Sequence, residues 1–300
     1  MQSQLKFTVY TPVYNDGRFI PRVFEGLKSQ TYRNFEWVIL NDGSKDNSSE
    51  LIKQLGDCDF PINFIDLKEN VGFNKSMNIA VQNAKGEFFL ISHADDTFKP
   101  NSLERFNEVW ESLTEKQKQI LHGVKCNTED QSGSLIGDLF PHDYWISDVF
   151  EIELKYKIRG EKWGTIKTDV LKEFPFPETV KFAPESLVWY KIYNKYKAVF
   201  INDTLRIYFV DHNADSLLTR TNQKTNIPLS KRMFELDFLN SYLNRLASHP
   251  VLIVKYFTRY IAYSLIGNVS FSTTIGDLNK FYLKILCVIF FPLGLLYAKT

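Results

Sequence analysis

Short β-rich runs alternating with amphipathic helical stretches predict an α/β protein with a mainly parallel sheet flanked by helices. An apolar trend after Thr225 adds C-terminal apolar helices, and a polar cluster follows each early β-rich run. Phe7–Tyr10 is the first strand, and Thr11–Arg18 the loop after it. Ile20, Val23, Phe24 and Leu27 then fall at helical spacing and predict a helix over Ile20–Gln30. Phe35–Leu40 is the second strand, stopped by the turn signal Asn41-Asp42-Gly43-Ser44. Asp46-Asn47-Ser48 can cap a helix running to Leu55, and Ile62–Leu67 is the third strand. Gly72–Ala84 reads as a helix with Gly86 as its C-cap, and Phe88–Ile91 as a fourth strand that runs into Ser92-His93-Ala94-Asp95-Asp96.

Repeated β-α-β units place strands in parallel, and ligands gather outside the carboxyl ends of such strands. The polar clusters Thr11–Asp16, Asn41–Ser44, Asn70–Lys75 and His93–Asp96 all fall there. Beyond about Trp110 the pattern loosens. Residues 125–160 read as loop-rich, with exposed-looking Phe140, Tyr144, Trp145 and Phe150. Trp163–Val170 and Ala198–Phe209 read as strands, with a helix from Glu185 to Lys195 between them.

A net charge of +1 gives no reason to expect nucleic acid as a partner. Aromatic residues make up 15%, with 25 Phe and 15 Tyr, which suits a membrane interface, a partner surface, a sugar site or simply a Phe-rich core. Cys58, Cys126 and Cys287 are scattered and form no paired motif, so reduced thiols in a cytosolic compartment are expected. Met1–Lys6 is polar and the next apolar stretch breaks at Pro12, so no secretory signal is expected and the chain should stay on the cytoplasmic side.

A strand delivering acidic residues to a sheet edge suits a divalent cation with oxygen ligands, although Asp95 and Asp96 would equally cap a helix starting near Pro100. The segments around this loop carry a resemblance. Phe7–Asn15, Ser29–Glu36, Asn41–Ser44, Glu69–Gly72 and Ala84–Phe88, in that order and followed by Asp95-Asp96, resemble the family 2 glycosyltransferases. The resemblance implies a GT-A-like, Rossmann-like sheet, a nucleoside-diphosphate sugar donor (a UDP-sugar is favoured) and inversion at the anomeric carbon. It also implies that Pro12, Tyr14 and Asn15 line the nucleoside pocket and that Asp42 accepts from the base. Lys75 would lie near the phosphates, its alternative being a solvated helix lysine. The family's Asp-x-Asp signature is here His93-Ala94-Asp95-Asp96. Asp95 keeps the metal-touching position, while Asp96 and His93 belong to the donor site. His93 is also a candidate metal ligand, which suits Mn²⁺ better than Mg²⁺.

Inverting transfer needs a general base. The family draws an Asp or Glu from a helix start, and the matching stretch is Phe182-Ala183-Pro184-Glu185-Ser186, which makes Glu185 the candidate, with Glu178 and Glu173 as fallbacks. A first-turn glutamate placed for the helix dipole is the structural alternative. Gly160–Gly164 resembles the strand before this helix in members that build bacterial surface polysaccharides, and Trp163 would either stack on a sugar or pack in the core. His212 is a candidate third metal ligand, and Arg220 a candidate diphosphate contact against a solvated surface arginine.

These readings divide the chain into a glycosyltransferase domain, 1–222, and a helical, membrane-associated region, 223–300. The domain splits into a nucleotide-sugar-binding half, 1–110, and an acceptor half, 111–222. Ile285–Ala298 carries no charge but is too short to span a bilayer, and Tyr256–Phe271 mixes aromatics with Lys255 and Arg259 as an interfacial helix does. The expected product is an enzyme lying on the inner face of the cell membrane and acting on a saccharide or lipid-linked saccharide acceptor. The soluble alternative for the tail is packing on the enzyme or a homodimer. Two rival functions remain: a catalytically inactive binding or assembly protein on the same fold, suggested by His93 and Ser186, and a nucleotidyltransferase. The second would need a glycine-rich, basic loop where Thr11–Gly17 has one glycine.

Overall fold

The structure is a computed structural model, and it describes residues 5–179, 183–209 and 226–299. Within them the chain divides into two compact units, 5–179 with 188–209, and 183–187 with 226–299. The first opens with β1 (Phe7–Val13), α1 (Ile20–Lys28), β2 (Phe35–Asp42), α2 (Ser48–Lys53), β3 (Ile62–Leu67), α3 (Phe73–Asn83) and β4 (Phe88–Ile91). β1 pairs in parallel with β2 and β4, and β2 with β3. Successive strand side chains point to opposite faces, and here both faces are covered. Phe7, Val9, Phe35, Trp37, Ile39 and Leu90 pack with α1 on one side, while Tyr10, Val38, Leu40 and Phe89 pack with α3 on the other.

The rest of this unit comprises β5 (Thr97–Phe98), α4 (Ser102–Glu111), α5 (Glu115–Ile120), β6 (Leu121–Asp130), β7 (Trp145–Ser147), β8 (Lys162–Lys167), α6 (Thr168–Glu173), α7 (Ser186–Lys195, which belongs to this unit from Val188 on) and β9 (Lys197–Tyr208). The strand order is β3-β2-β1-β4-β8-β6-β9-β5, with β7 on β9. β8 joins antiparallel to β4, so the sheet is parallel in its first half and mixed beyond.

Three sequence expectations change here. The stretch read as loop-rich from residue 125 begins inside β6, whose polar Asn127 and Thr128 are fully buried. Asn127 can sit there because it donates to Asn202 at 3.2 Å and accepts from Lys162 at 2.7 Å, partners that local periodicity does not reveal. Phe140 and Phe150 are core residues, whereas Tyr144 is exposed. Gly86 is not a helix cap: α3 ends at Asn83, and a Cβ at Gly86 would lie 2.3 Å from the Thr8 backbone nitrogen. The close approach lets Gly86 donate to Thr8 Oγ1, which in turn donates to buried Glu36.

Gly43 is fixed by geometry of another kind. Its φ is +64°, and a Cβ would stand 2.4 Å from the Glu69 carbonyl carbon. Gly43→Ala is expected to cost about 1–2 kcal/mol from backbone conformation, plus whatever displacing Glu69 and Asn70 requires. Urea denaturation measures this, and an unchanged midpoint would mean that the turn relaxes freely.

The second unit is helical: α8 (Asn226–Tyr242), α9 (Pro250–Ile266), α10 (Phe271–Gly276) and α11 (Phe281–Tyr297). α9 contacts both α8 and α11. Phe238 and Tyr256 stack at 4.0 Å, Phe257 meets Phe290 at 5.6 Å, and Gly294 lets α11 approach Ile261. Tyr256, Phe257 and Tyr260 are therefore core residues, and the expectation of an interfacial helix there is corrected: α9 is covered on two sides. No described helix is long and apolar enough to cross a membrane.

Candidate functional site

The sheet register brings the carboxyl ends of β1–β4 to one edge: Val13 sits beside Asn41, Asp42 beside Leu67, and Tyr10 beside Ile91. The four polar loops of the sequence therefore meet, as the β-α-β pattern requires. The first two are tied directly. Asn15, at φ 56°, donates its backbone N–H to Ser44 Oγ at 2.9 Å and accepts from the Lys45 N–H at 2.7 Å. Asn is among the residues that tolerate this left-handed conformation. Asn41 continues the chain of contacts by accepting from the Ser44 N–H and donating to Asp66. Burial would raise the Asp66 carboxyl, but hydrogen bonds from Ser49 and Asn41 and the Lys53 ammonium outweigh it and hold the group below its usual range.

Asp42 is 5% exposed, and its carboxylate accepts the backbone N–H groups of Val71 (2.7 Å) and Gly72 (3.0 Å). Asp42 thus shapes the turn that starts α3, in addition to any contact with a base. Pro12 is half-buried on this edge, Tyr14 is exposed beside it, and Lys75 is exposed in the first turn of α3. Two residues that sequence reading missed hold the other side of α3. Asn74 donates to the Pro177 carbonyl at 2.7 Å, and Asn78 clasps Phe176 and Glu178. The available signal was their i, i+4 spacing, which puts both amides on one helix face.

The acidic loop leaves β4 through Ser92, whose N–H donates to the Tyr10 carbonyl at 2.8 Å. It then turns on a bond from the Asp96 N–H to the His93 carbonyl. Asp95 is exposed, and its carbonyl accepts from Arg22 at 2.9 Å. Arg22 also lies 3.8 Å over the Phe209 ring. Asp96 is 2% exposed, and both Nε (3.0 Å) and Nη2 of Arg206 donate to its Oδ2. Arg206 reaches Glu161 as well, at 3.2 Å. Burial pushes the Asp96 carboxyl up to about 6, with the Arg206 guanidinium acting against that rise and the Asp95 charge adding to it. No sequence signal pointed to Arg206, which lies on a different strand.

Asp95 and half-buried His93 supply one carboxylate and one imidazole from a single turn. Such a partial shell fits a cation whose remaining positions go to diphosphate oxygens and water. Among the described residues no group of three His, Cys, Asp or Glu side chains converges on a metal site, and His212 and Arg220 lie outside them. Trp163 is settled as a core residue: it is 5% exposed, packs against Phe98 and Phe106, and donates to the Ile91 carbonyl at 2.6 Å. Glu185 is half-buried and immediately precedes α7. Glu173 is paired with Lys195 and Tyr196, and Glu178 accepts from Asn78.

Residues 8–131 match the family model for glycosyl transferase family 2. The chain is a glycosyltransferase carrying a family 2 domain. It is 25% identical over 212 residues to the glycosyltransferase GlyG of Streptococcus pneumoniae, covering 67% of this chain and 69% of that protein. A glycosyltransferase of Rickettsia typhi is 26% identical over 255 residues, covering 83% and 74%. Residues 1–349 of Staphylococcus aureus TarS, solved with UDP-GlcNAc, superpose with a TM-score of 0.69 at 17% identity over 98% of this chain and 89% of that one. A longer TarS structure is covered over 54% of its length. A mannosyltransferase from Pyrobaculum calidifontis, solved with GDP-Man and Mn²⁺, gives a TM-score of 0.56 at 14% identity, over 98% of this chain and 81% of that one. The GT-A fold of this glycosyltransferase is the one its strand order builds.

Proposed function

We propose that this glycosyltransferase moves a sugar, with inversion, from a nucleoside-diphosphate sugar to a saccharide or lipid-linked saccharide acceptor in bacterial surface polysaccharide synthesis. The observation that carries this reading is the single sheet edge where the Asn15, Asp42 and Asp95 loops meet. Pro12, Tyr14 and Asn15 bound the nucleoside side, and the start of α3 with Lys75 faces the phosphates, where helix N–H groups favour anions. Asp95 and His93, with His212, hold a divalent cation, Mn²⁺ or Mg²⁺, and that cation neutralises charge on the departing diphosphate. Glu185 takes the acceptor hydroxyl proton as that oxygen bonds to the anomeric carbon and the carbon–oxygen bond to the diphosphate breaks. The complexes of TarS with UDP-GlcNAc and of the Pyrobaculum enzyme with GDP-Man and Mn²⁺ support a donor and cation of these classes, with uridine favoured. The enzyme works in the cytoplasm, peripheral on the inner face of the cell membrane.

Thermal-shift measurements with nucleoside diphosphates and their sugars, with and without Mn²⁺, test the donor site. Uridine compounds are expected to stabilise the protein by roughly 2.7 kcal/mol at a hundredfold excess over Kd, in a metal-dependent manner. Asp95→Ala should abolish the metal-dependent part. No response from folded protein would discard the reading. Metal-dependent binding without turnover on any acceptor would favour an inactive binding protein, for which Asp96 held by Arg206 and Ser186 beside Glu185 are the supporting observations.

A further inference from the structure

α11 is apolar on two faces, and among the described residues only one of them has a partner. Leu283, Cys287 and Gly294 are buried, with Gly294 against Ile261 of α9. On the other face Phe281, Ile285, Val288, Ile289, Leu295 and Leu296 are all exposed, by 78% at Phe281 and 63% at Leu296. Their spacing of four, three, one, six and one residues keeps them on one stripe of the helix. A contiguous apolar stripe of this kind on a folded surface marks an interaction site.

The charges around the stripe point to one occupant. After Asp277 the sequence holds no acidic residue, while Lys280 and Lys299 flank the stripe at its two ends and Lys284 lies in the first turn of the helix. Tyr282 and Tyr297 are exposed near the same two ends, and tyrosine rings favour a membrane–water boundary. A 17-residue helix is about 25 Å long, shorter than the hydrocarbon thickness of about 30 Å, and Pro292 and Lys284 lie within it. One helix face of that length offers a few hundred Å², whereas a stable dimer needs roughly 800 Å² per partner. An apolar helix face whose own charged residues are all cations matches an anionic lipid surface better than a second copy of itself.

We propose that the outer face of α11 lies in the plane of an anionic membrane leaflet, with Lys280, Lys284 and Lys299 on its headgroups. This rests on the membrane-peripheral reading of the enzyme and names the surface responsible. Flotation of the full chain with phosphatidylcholine vesicles, with and without phosphatidylglycerol, tests it. The wild type should bind the phosphatidylglycerol vesicles at least tenfold better than the neutral ones. Val288→Glu/Ile289→Glu should lose at least tenfold of that binding, and Lys280→Glu/Lys299→Glu should lose the preference for anionic lipid. Circular dichroism and the response to nucleotide check that each variant is folded.

Wild type that ignores all vesicles would overturn both the membrane reading and this surface. Wild type that binds as strongly as Val288→Glu/Ile289→Glu would overturn the surface alone. Equal binding to neutral and anionic vesicles would overturn the choice of occupant. So would a dimer, seen by light scattering, that the double glutamate variant dissociates. Loss of transfer activity with vesicle binding intact would bear on the transfer reading and leave this one standing.

Discussion

Glu185→Gln is expected to lower kcat for sugar transfer by roughly 10²–10⁴-fold while leaving donor affinity nearly unchanged. Glutamine keeps the size of the side chain but cannot take a proton from the acceptor hydroxyl. Donor contacts assigned to the sheet edge do not involve this residue, so the Mn²⁺-dependent thermal shift should survive the substitution. Single-turnover kinetics on the variant separates loss of chemistry from loss of binding. Glu173→Gln and Glu178→Gln serve as comparisons. Glu173 is held by Lys195 and Tyr196 and Glu178 by Asn78, so both variants should keep turnover near that of the wild type. Retained turnover in Glu185→Gln with loss in Glu178→Gln would move the base to Glu178.

Arg206→Met is expected to cost roughly 3–5 kcal/mol of stability, the penalty for leaving a buried carboxylate without its partner. Asp96 is 2% exposed and Arg206 6%, so water cannot replace the lost guanidinium. Burial already pushes the Asp96 carboxyl up to about 6 with Arg206 in place, and without it the charged form loses its main support. Arg206→Lys should recover only part of the loss, because an ammonium cannot offer both Nε and Nη2 to Oδ2. Arg206→Met combined with Asp96→Asn should be less destabilised than Arg206→Met alone, since the uncompensated charge is gone. Urea denaturation of the four proteins measures this. Full stability in Arg206→Met would mean that Asp96 is protonated in the native state and forms no ion pair with Arg206.

The first unit was readable up to β4 because its signals are local. Ile20, Val23, Phe24 and Leu27 declare a helix by spacing, and all four are buried. Phe35–Leu40 declares a strand as a run that is apolar at every position but Glu36, and β2 extends it by only two residues, to Asp42. Parallel β-α-β order then places every carboxyl end, and the polar loop after it, on one edge. The composition of the site's loops was therefore available before any coordinate. Asp46 accepts from the Ser48 N–H just ahead of α2, while Asn47 at the N-cap makes no side-chain cap bond.

What stayed hidden depends on partners distant in the chain. The sequence by itself determined the alternation of elements, the shared edge and the acidic loop, because periodicity and turn chemistry act over a few residues. Only the tertiary structure decided that Trp163 packs between Phe98 and Phe106, that Gly86 serves close approach to β1, and that Arg206 claims Asp96. It also buried the aromatics of α9 while leaving one apolar face of α11 open, although both helices are rich in apolar residues. Burial is a property of what covers a face. A helix with neighbours on two sides hides its aromatics, while one packed on a single side leaves the other open, and no window of sequence carries that information.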